Sequence, residues 1–187
     1  YGGAALLAAR ACLRSGAGLV SVATHAMYVG SFAAVCPEAM FAPVTEGGDL
    51  QALLSKATAV AVGPGLGQDG WAQSLLEAVL LSERPTVFDA DALNLLATRA
   101  AVKLPHDSII TPHPGEAARL LGCTTQQVQS DRMSASLTLA RRFGACVVLK
   151  GAGTVTVDPA DESGAQIACV GNPGLAAGGS GDTLTGI

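Results

Sequence analysis

Thr58-Ala59-Val60-Ala61-Val62 runs directly into Gly63-Pro64-Gly65-Leu66-Gly67. A short apolar run of this kind reads as a buried strand, and glycines around a proline read as the turn that ends it. Trp71, Leu75, Leu76, Val79 and Leu80 follow at helical spacing, and Pro85 closes the unit. Thr86–Phe88 then reads as a strand ending at Asp89, with a helix through Leu93 and Leu96 behind it. Strands alternating with helices in this way predict an α/β layered domain with a mostly parallel central sheet.

The same grammar extends outward. Residues 3–15 are rich in helix formers, with Leu6, Ala9 and Leu13 on one face and Gly16 and Gly18 as a stop. Leu19–Thr24 reads as a strand, the stretch to Gly48 carries no regular pattern, and 49–56 reads as a short helix. Ser108–Thr111 is a strand ending at Pro112-His113-Pro114-Gly115-Glu116. Residues 125–143 predict the longest helix, with Val128, Met133, Leu137 and Ala140 inward. Cys146–Leu149, 154–158 and 166–170 read as three further strands. Most strands are continuous apolar runs, as expected where helices cover both faces of a sheet.

Composition narrows the function classes. Apolar residues make up 49% and charged residues 14% of the 187, which excludes a disordered chain. A formal net charge of −4 with no basic run leaves no nucleic-acid footprint. The five cysteines (Cys12, Cys36, Cys123, Cys146, Cys169) form no C-x-x-C pair, so a reduced, cytoplasmic setting is expected rather than a disulfide or metal framework. No apolar run is long enough to cross a bilayer and no signal peptide is visible. The chain opens on Tyr1 and stops at Ile187 just as a helix begins, so it reads as one partial domain of a longer protein.

In parallel α/β folds ligands bind beyond the carboxyl ends of the strands. The polar and glycine-rich segments 63–67, 89–94, 111–116 and 150–154 each follow a strand, which marks that edge as the site. Gly171, Gly174, Gly178, Gly179 and Gly181 then lead into Asp182. A glycine loop entering a helix presents backbone N–H groups and the positive end of the helix dipole, an anion hole suited to phosphate. Asp182 is read there as the base that takes a proton from an attacking hydroxyl, with a simple N-cap as the lesser reading. Lys150-Gly151-Ala152-Gly153-Thr154 is either a hairpin turn or a nucleotide contact. Gly63–Gly67 lacks the G-x-G-x-x-G spacing of a dinucleotide fingerprint and reads as close backbone approach to a ligand. His113, between two prolines, is expected to point its ring outward to substrate. Asp89, Asp91 and Asn94 are candidates to order water or Mg²⁺, with helix capping as the other role for Asp91.

Gly63–Gly67 (GPGLG), Asp89–Asn94 (DADALN), Ile110–Leu121 (ITPHPGEAARLL), Lys150–Thr154 (KGAGT) and Gly171–Ile187 occur in this order. In that order, with the opening Tyr1–Val20, the chain resembles the ADP/ATP-dependent NAD(P)H-hydrate dehydratases along essentially its whole length. The resemblance implies a ribokinase-like three-layer αβα fold, here truncated at both ends and so poorly stable or inactive alone. It implies phosphorylation of the hydroxyl of the S epimer of NADH or NADPH hydrate by ADP (ATP in eukaryotic relatives), then loss of phosphate to restore NAD(P)H. By motif, Lys150, Gly151, Ala152, Gly153, Thr154 and Gly181 would hold the adenine nucleotide. Ala4, Gly65, Gly67, His113 and Asp182 would contact the hydrate, with Glu116, Asn172, Gly178 and Gly179 in support. Mg²⁺, a homotetramer and a fused or separate hydrate epimerase also follow from the resemblance. The other reading is a kinase of the same fold acting on a vitamin-precursor alcohol such as hydroxyethylthiazole or hydroxymethylpyrimidine. A third is a non-catalytic nucleotide-binding module.

Overall fold

The computed structural model describes residues 2–160 and 164–187; Tyr1, the first residue of the opening motif, lies outside them. The chain begins with α1 (Gly2–Arg14), β1 (Ser21–Thr24), α2 (Ala26–Val35) and β2 (Met40–Pro43). It continues through α3 (Gln51–Leu54), β3 (Val60–Val62), α4 (Gly70–Leu81), β4 (Thr86–Phe88) and α5 (Ala90–Ala97). Then come β5 (Ile109–Ile110), α6 (Pro114–Leu121), α7 (Thr125–Ser130), α8 (Arg132–Phe143), β6 (Cys146–Leu149), β7 (Val155–Val157), β8 (Gln166–Ile167) and α9 (Ser180–Gly186).

A six-stranded sheet runs β3-β4-β5-β6-β7-β8, parallel from β3 to β6 and antiparallel from β6 to β8. β1 and β2 form a separate parallel pair. The mostly parallel α/β layering predicted from sequence is the fold observed. Register aligns Val62, Phe88, Ile110, Val147 and Val157 on one face, all buried. Opposite them Ala61 is exposed and Val87, Ile109 and Val148 are half-buried. One face carries the core, and the other is covered less completely along the described strands. Valine and isoleucine suit a strand whichever face is sealed, so the apolar run alone does not tell the two cases apart.

Two further expectations change. The stretch before Gly48 holds α2 and β2, not irregular chain. The α2 sequence AMYVGSFAAV is apolar on nearly every side, so its helical period is masked. Residues 125–143 form two helices. Asp131, at φ −147° and ψ 78°, leaves helical geometry and caps α8 by accepting the Ser134 N–H at 2.9 Å. Capping by a short acidic side chain outweighs the continuous apolar period there.

What positions the site is the set of helix starts at the carboxyl edge of the sheet. Asp69 caps α4 through the Ala72 N–H at 2.9 Å, fixing the turn after β3. α6 begins with Pro114 and a reciprocal box. The Glu116 carboxylate accepts the His113 N–H at 2.7 Å, and the His113 ring accepts the Gly115 N–H at 3.0 Å. α1 packs on α9, with Ala8 and Ala11 pressed against Gly186 and Leu7 against Gly179. Ala4, one turn before Ala8, is half-buried on the same helix. No helix among the described residues is long and apolar enough to cross a membrane.

Candidate active site

Asp89 directly follows β4 and is almost wholly buried, at 1% exposure. It sits at the N-cap of α5 but caps nothing. Its Oδ1 pairs with Lys150 Nζ at 2.6 Å and its Oδ2 accepts the Thr185 hydroxyl at 2.7 Å. One carboxylate thus ties the loop after β6 to the first turns of α9. Lys150 Nζ also lies 3.9 Å from Glu116 Oε2, and Lys150 N–H donates to Pro112 O at 2.8 Å, which brings in the loop after β5. The loop after β3 joins through Asp91, whose Oδ2 accepts the Gly67 N–H at 2.9 Å while Oδ1 accepts from Gln68 Nε2 at 3.3 Å. All four predicted loops meet on one edge.

Gly63 shows how tightly they meet. Its φ is 126°, and a Cβ built there would run into the Asp89 carbonyl oxygen. Gly63→Ala should therefore destabilise the protein by roughly 2–5 kcal/mol, backbone strain adding to a collision with an immovable peptide. A urea-unfolding midpoint unchanged from the parent would show that this junction has slack. The next residue after Asp89, Ala90, is itself at φ 46°, an uncommon geometry for a residue with a side chain.

Asp182 does not act as an N-cap. Gly179, at φ 89°, holds that position, and Asp182 is the third residue of α9. Among the described residues no side chain or amide donates a hydrogen bond to its half-buried carboxylate. Burial raises its pKa, the nearby Asp89 carboxylate raises it further, and the Lys150 ammonium opposes both. Just before it, a Cβ on Gly181 would lie 3.5 Å from Lys150 Nζ and 4.0 Å from Asp89 Oδ2. The start of α9 therefore stands directly over the Asp89–Lys150 pair.

Several side chains do something other than the sequence suggests. The His113 ring is about half exposed yet folds back onto its own helix, Nε2 lying 3.5 Å from Glu116 Oε1. Burial pushes the Glu116 carboxyl up, against the pull of the His113 amide, Lys150 and His113. Asp91 binds the Gly67 amide instead of capping α5, and Asn94 orients toward it and toward Arg119, which donates to Asn94 Oδ1 at 3.0 Å. Asn172 closes a turn through the Gly174 N–H at 2.8 Å, in a loop exposed from Gly171 to Gly178. Both oxygens of Asp89 are satisfied by protein, as are those of Asp91. No cluster of three His, Cys, Asp or Glu ligands occurs among the described residues. These residues do not fit a resident metal ion.

Sequence reasoning missed two contributors. Thr185 carries no local signal, because its partner Asp89 is 96 positions away. Arg132 does carry one: a cation in the first turn of a helix opposes the dipole there.

Comparison with known proteins places the chain in a family. A family model described as NAD(P)H-hydrate dehydratase matches residues 1–187. The chain belongs to that family. A bifunctional NAD(P)H-hydrate repair enzyme of Coxiella burnetii is 49% identical over 187 residues, covering 100% of this chain and 37% of its own length. The chain thus spans little more than a third of the curated relatives it matches. Among solved structures, the ADP/ATP-dependent NAD(P)H-hydrate dehydratase of Bacillus subtilis, co-crystallized with ATP/Mg²⁺ and soaked with CoA, is 35% identical. It superposes with a TM-score of 0.82 over 98% of this chain and 67% of that one. A hydroxyethylthiazole kinase from Pyrococcus horikoshii, 16% identical at a TM-score of 0.57 over 99% of this chain and 77% of that one, shares the fold alone. The fold is ribokinase-like, as the resemblance implies.

Proposed function

We propose that this chain carries the dehydratase site of an ADP-dependent NAD(P)H-hydrate repair enzyme. The observation that carries the reading is the start of α9 standing over the Asp89–Lys150 pair, where Asp182 has a free carboxylate beside glycine-rich backbone. The hydroxyl of the S hydrate attacks the terminal phosphorus of ADP; Asp182 accepts its proton and AMP leaves. The Gly178–Gly181 amides face the charge that develops on the transferred group. The ring nitrogen lone pair then expels phosphate, and loss of a ring proton restores NAD(P)H.

In this reading Lys150–Thr154 and Gly181 hold the nucleotide. Ala4, Gly65, Gly67 and His113 contact the hydrate, and Mg²⁺ enters with the nucleotide phosphates as part of the co-substrate. The bifunctional relatives support an epimerase on the same polypeptide or beside it, and a homo-oligomer acting on the cytoplasmic cofactor pool completes the reading.

The test is to supply hydrated NADH with ADP to the full-length protein and follow the near-ultraviolet absorbance of restored NADH. Phosphorylated alcohol accumulating with no NADH would indicate a kinase of the same fold. No nucleotide-dependent turnover at all would indicate a binding module.

A further inference from the structure

Arg132 opens α8, where its charge opposes the helix dipole, and its Nε is sealed from solvent with no partner among the described residues. Both features disfavour an arginine there. What offsets them lies above: Nη2 donates to Leu149 O at 2.9 Å, Lys150 O at 3.3 Å and Gly153 O at 3.3 Å, while Nη1 reaches Gln129 Oε1 at 2.8 Å. One guanidinium therefore collects the last carbonyl of β6 and two carbonyls of the glycine loop between β6 and β7.

A trans peptide points its N–H opposite to its C=O. Drawing those carbonyls inward turns the N–H groups of Lys150, Gly151 and Thr154 outward. The first donates to Pro112 O. Gly151 N–H and Thr154 N–H donate to no protein acceptor among the described residues. At Gly151 φ is 147°, and a Cβ would sit 2.9 Å from Nη1 and 3.1 Å from Nη2, so the loop rests on the guanidinium with no room for a side chain.

We propose that Arg132 is a positioning residue for nucleotide: from beneath the loop it aims the Gly151 and Thr154 amides at an anionic phosphate chain. This rests on the nucleotide reading of the loop given above. Lysine cannot do the same, because a single ammonium lacks the planar fork that spans separated carbonyls.

The experiment uses full-length protein with ADP and hydrated NADH. Arg132→Ala should raise the KM for ADP by roughly 10- to 100-fold, the scale of losing charge-assisted hydrogen bonds. The KM for the hydrate should hold. Arg132→Lys should resemble Arg132→Ala, and millimolar guanidinium ion should lower the raised KM of the alanine variant. A folded Arg132→Ala protein with the parent's KM for ADP overturns the proposal, and so does full rescue by lysine. If the alanine variant fails to fold, Arg132→Gln decides: a raised KM for ADP supports the proposal and an unchanged one overturns it. A parent enzyme that shows no dependence on ADP or ATP would instead overturn the functional reading beneath it.

Discussion

Asp182→Asn should lower the turnover of hydrated NADH with ADP by roughly 10²–10⁴-fold, the range for loss of a general base, while nucleotide binding persists. Asparagine keeps the shape of the side chain and cannot take the hydroxyl proton. Stability should move the other way. Burial, then the Asp89 carboxylate, raises the Asp182 pKa above the ordinary aspartate value of 3.8, with Lys150 opposing. A carboxyl that holds its proton more tightly when folded favours the native state below the ordinary aspartate range. It loses that advantage as pH rises through its native pKa. At neutral pH the ionised group therefore works against the fold, and asparagine relieves it. The variant's melting temperature should equal or exceed the parent's at neutral pH, with the gap closing in acid.

The pH profile gives an independent arm. The acid limb of kcat/KM in the parent should lie above 3.8, in the direction of the Asp182 shift, because the base must be ionised to act. Less than a tenfold fall in turnover would rule out Asp182 as the base. A melting temperature that drops together with activity would make the loss a folding effect.

The layers of this fold were legible because their signals are local. A valine run ending at Gly63-Pro64-Gly65 and a periodic helix after it need no distant partner to be read. The edge on which Asp89, His113, Lys150 and Asp182 meet was legible for the same reason, since each directly follows a strand or opens a helix. The wiring between them was not. Asp89 reads as a residue that orders water or Mg²⁺ until Lys150 and Thr185 take its two oxygens, across 61 and 96 positions of chain. His113 reads as an outward ring because flanking prolines fix only its backbone. Nothing in them shows that the ring nitrogen will accept the Gly115 N–H.

That wiring makes Asp89→Ala the most destabilising single change expected at the site, at about 3–5 kcal/mol in urea unfolding. The substitution strands a Lys150 ammonium whose side chain is only 19% exposed, with Glu116 3.9 Å away as the remaining counter-charge. It also removes the acceptor of the buried Thr185 hydroxyl, leaving that group only the Gly181 carbonyl at 3.1 Å. Thr185 is one helical turn beyond Asp182, so activity should fall along with stability, the opposite pattern to Asp182→Asn. Adding Lys150→Met to Asp89→Ala should recover part of the loss, because the greater penalty comes from the unpaired charge and the lesser from the missing bond. Thr185→Val measures the other arm alone and should cost about 1–3 kcal/mol. If the double-mutant cycle gives simple additivity, the Asp89–Lys150 pair contributes no coupling. The start of α9 would then be held over the site by its packing on α1 alone.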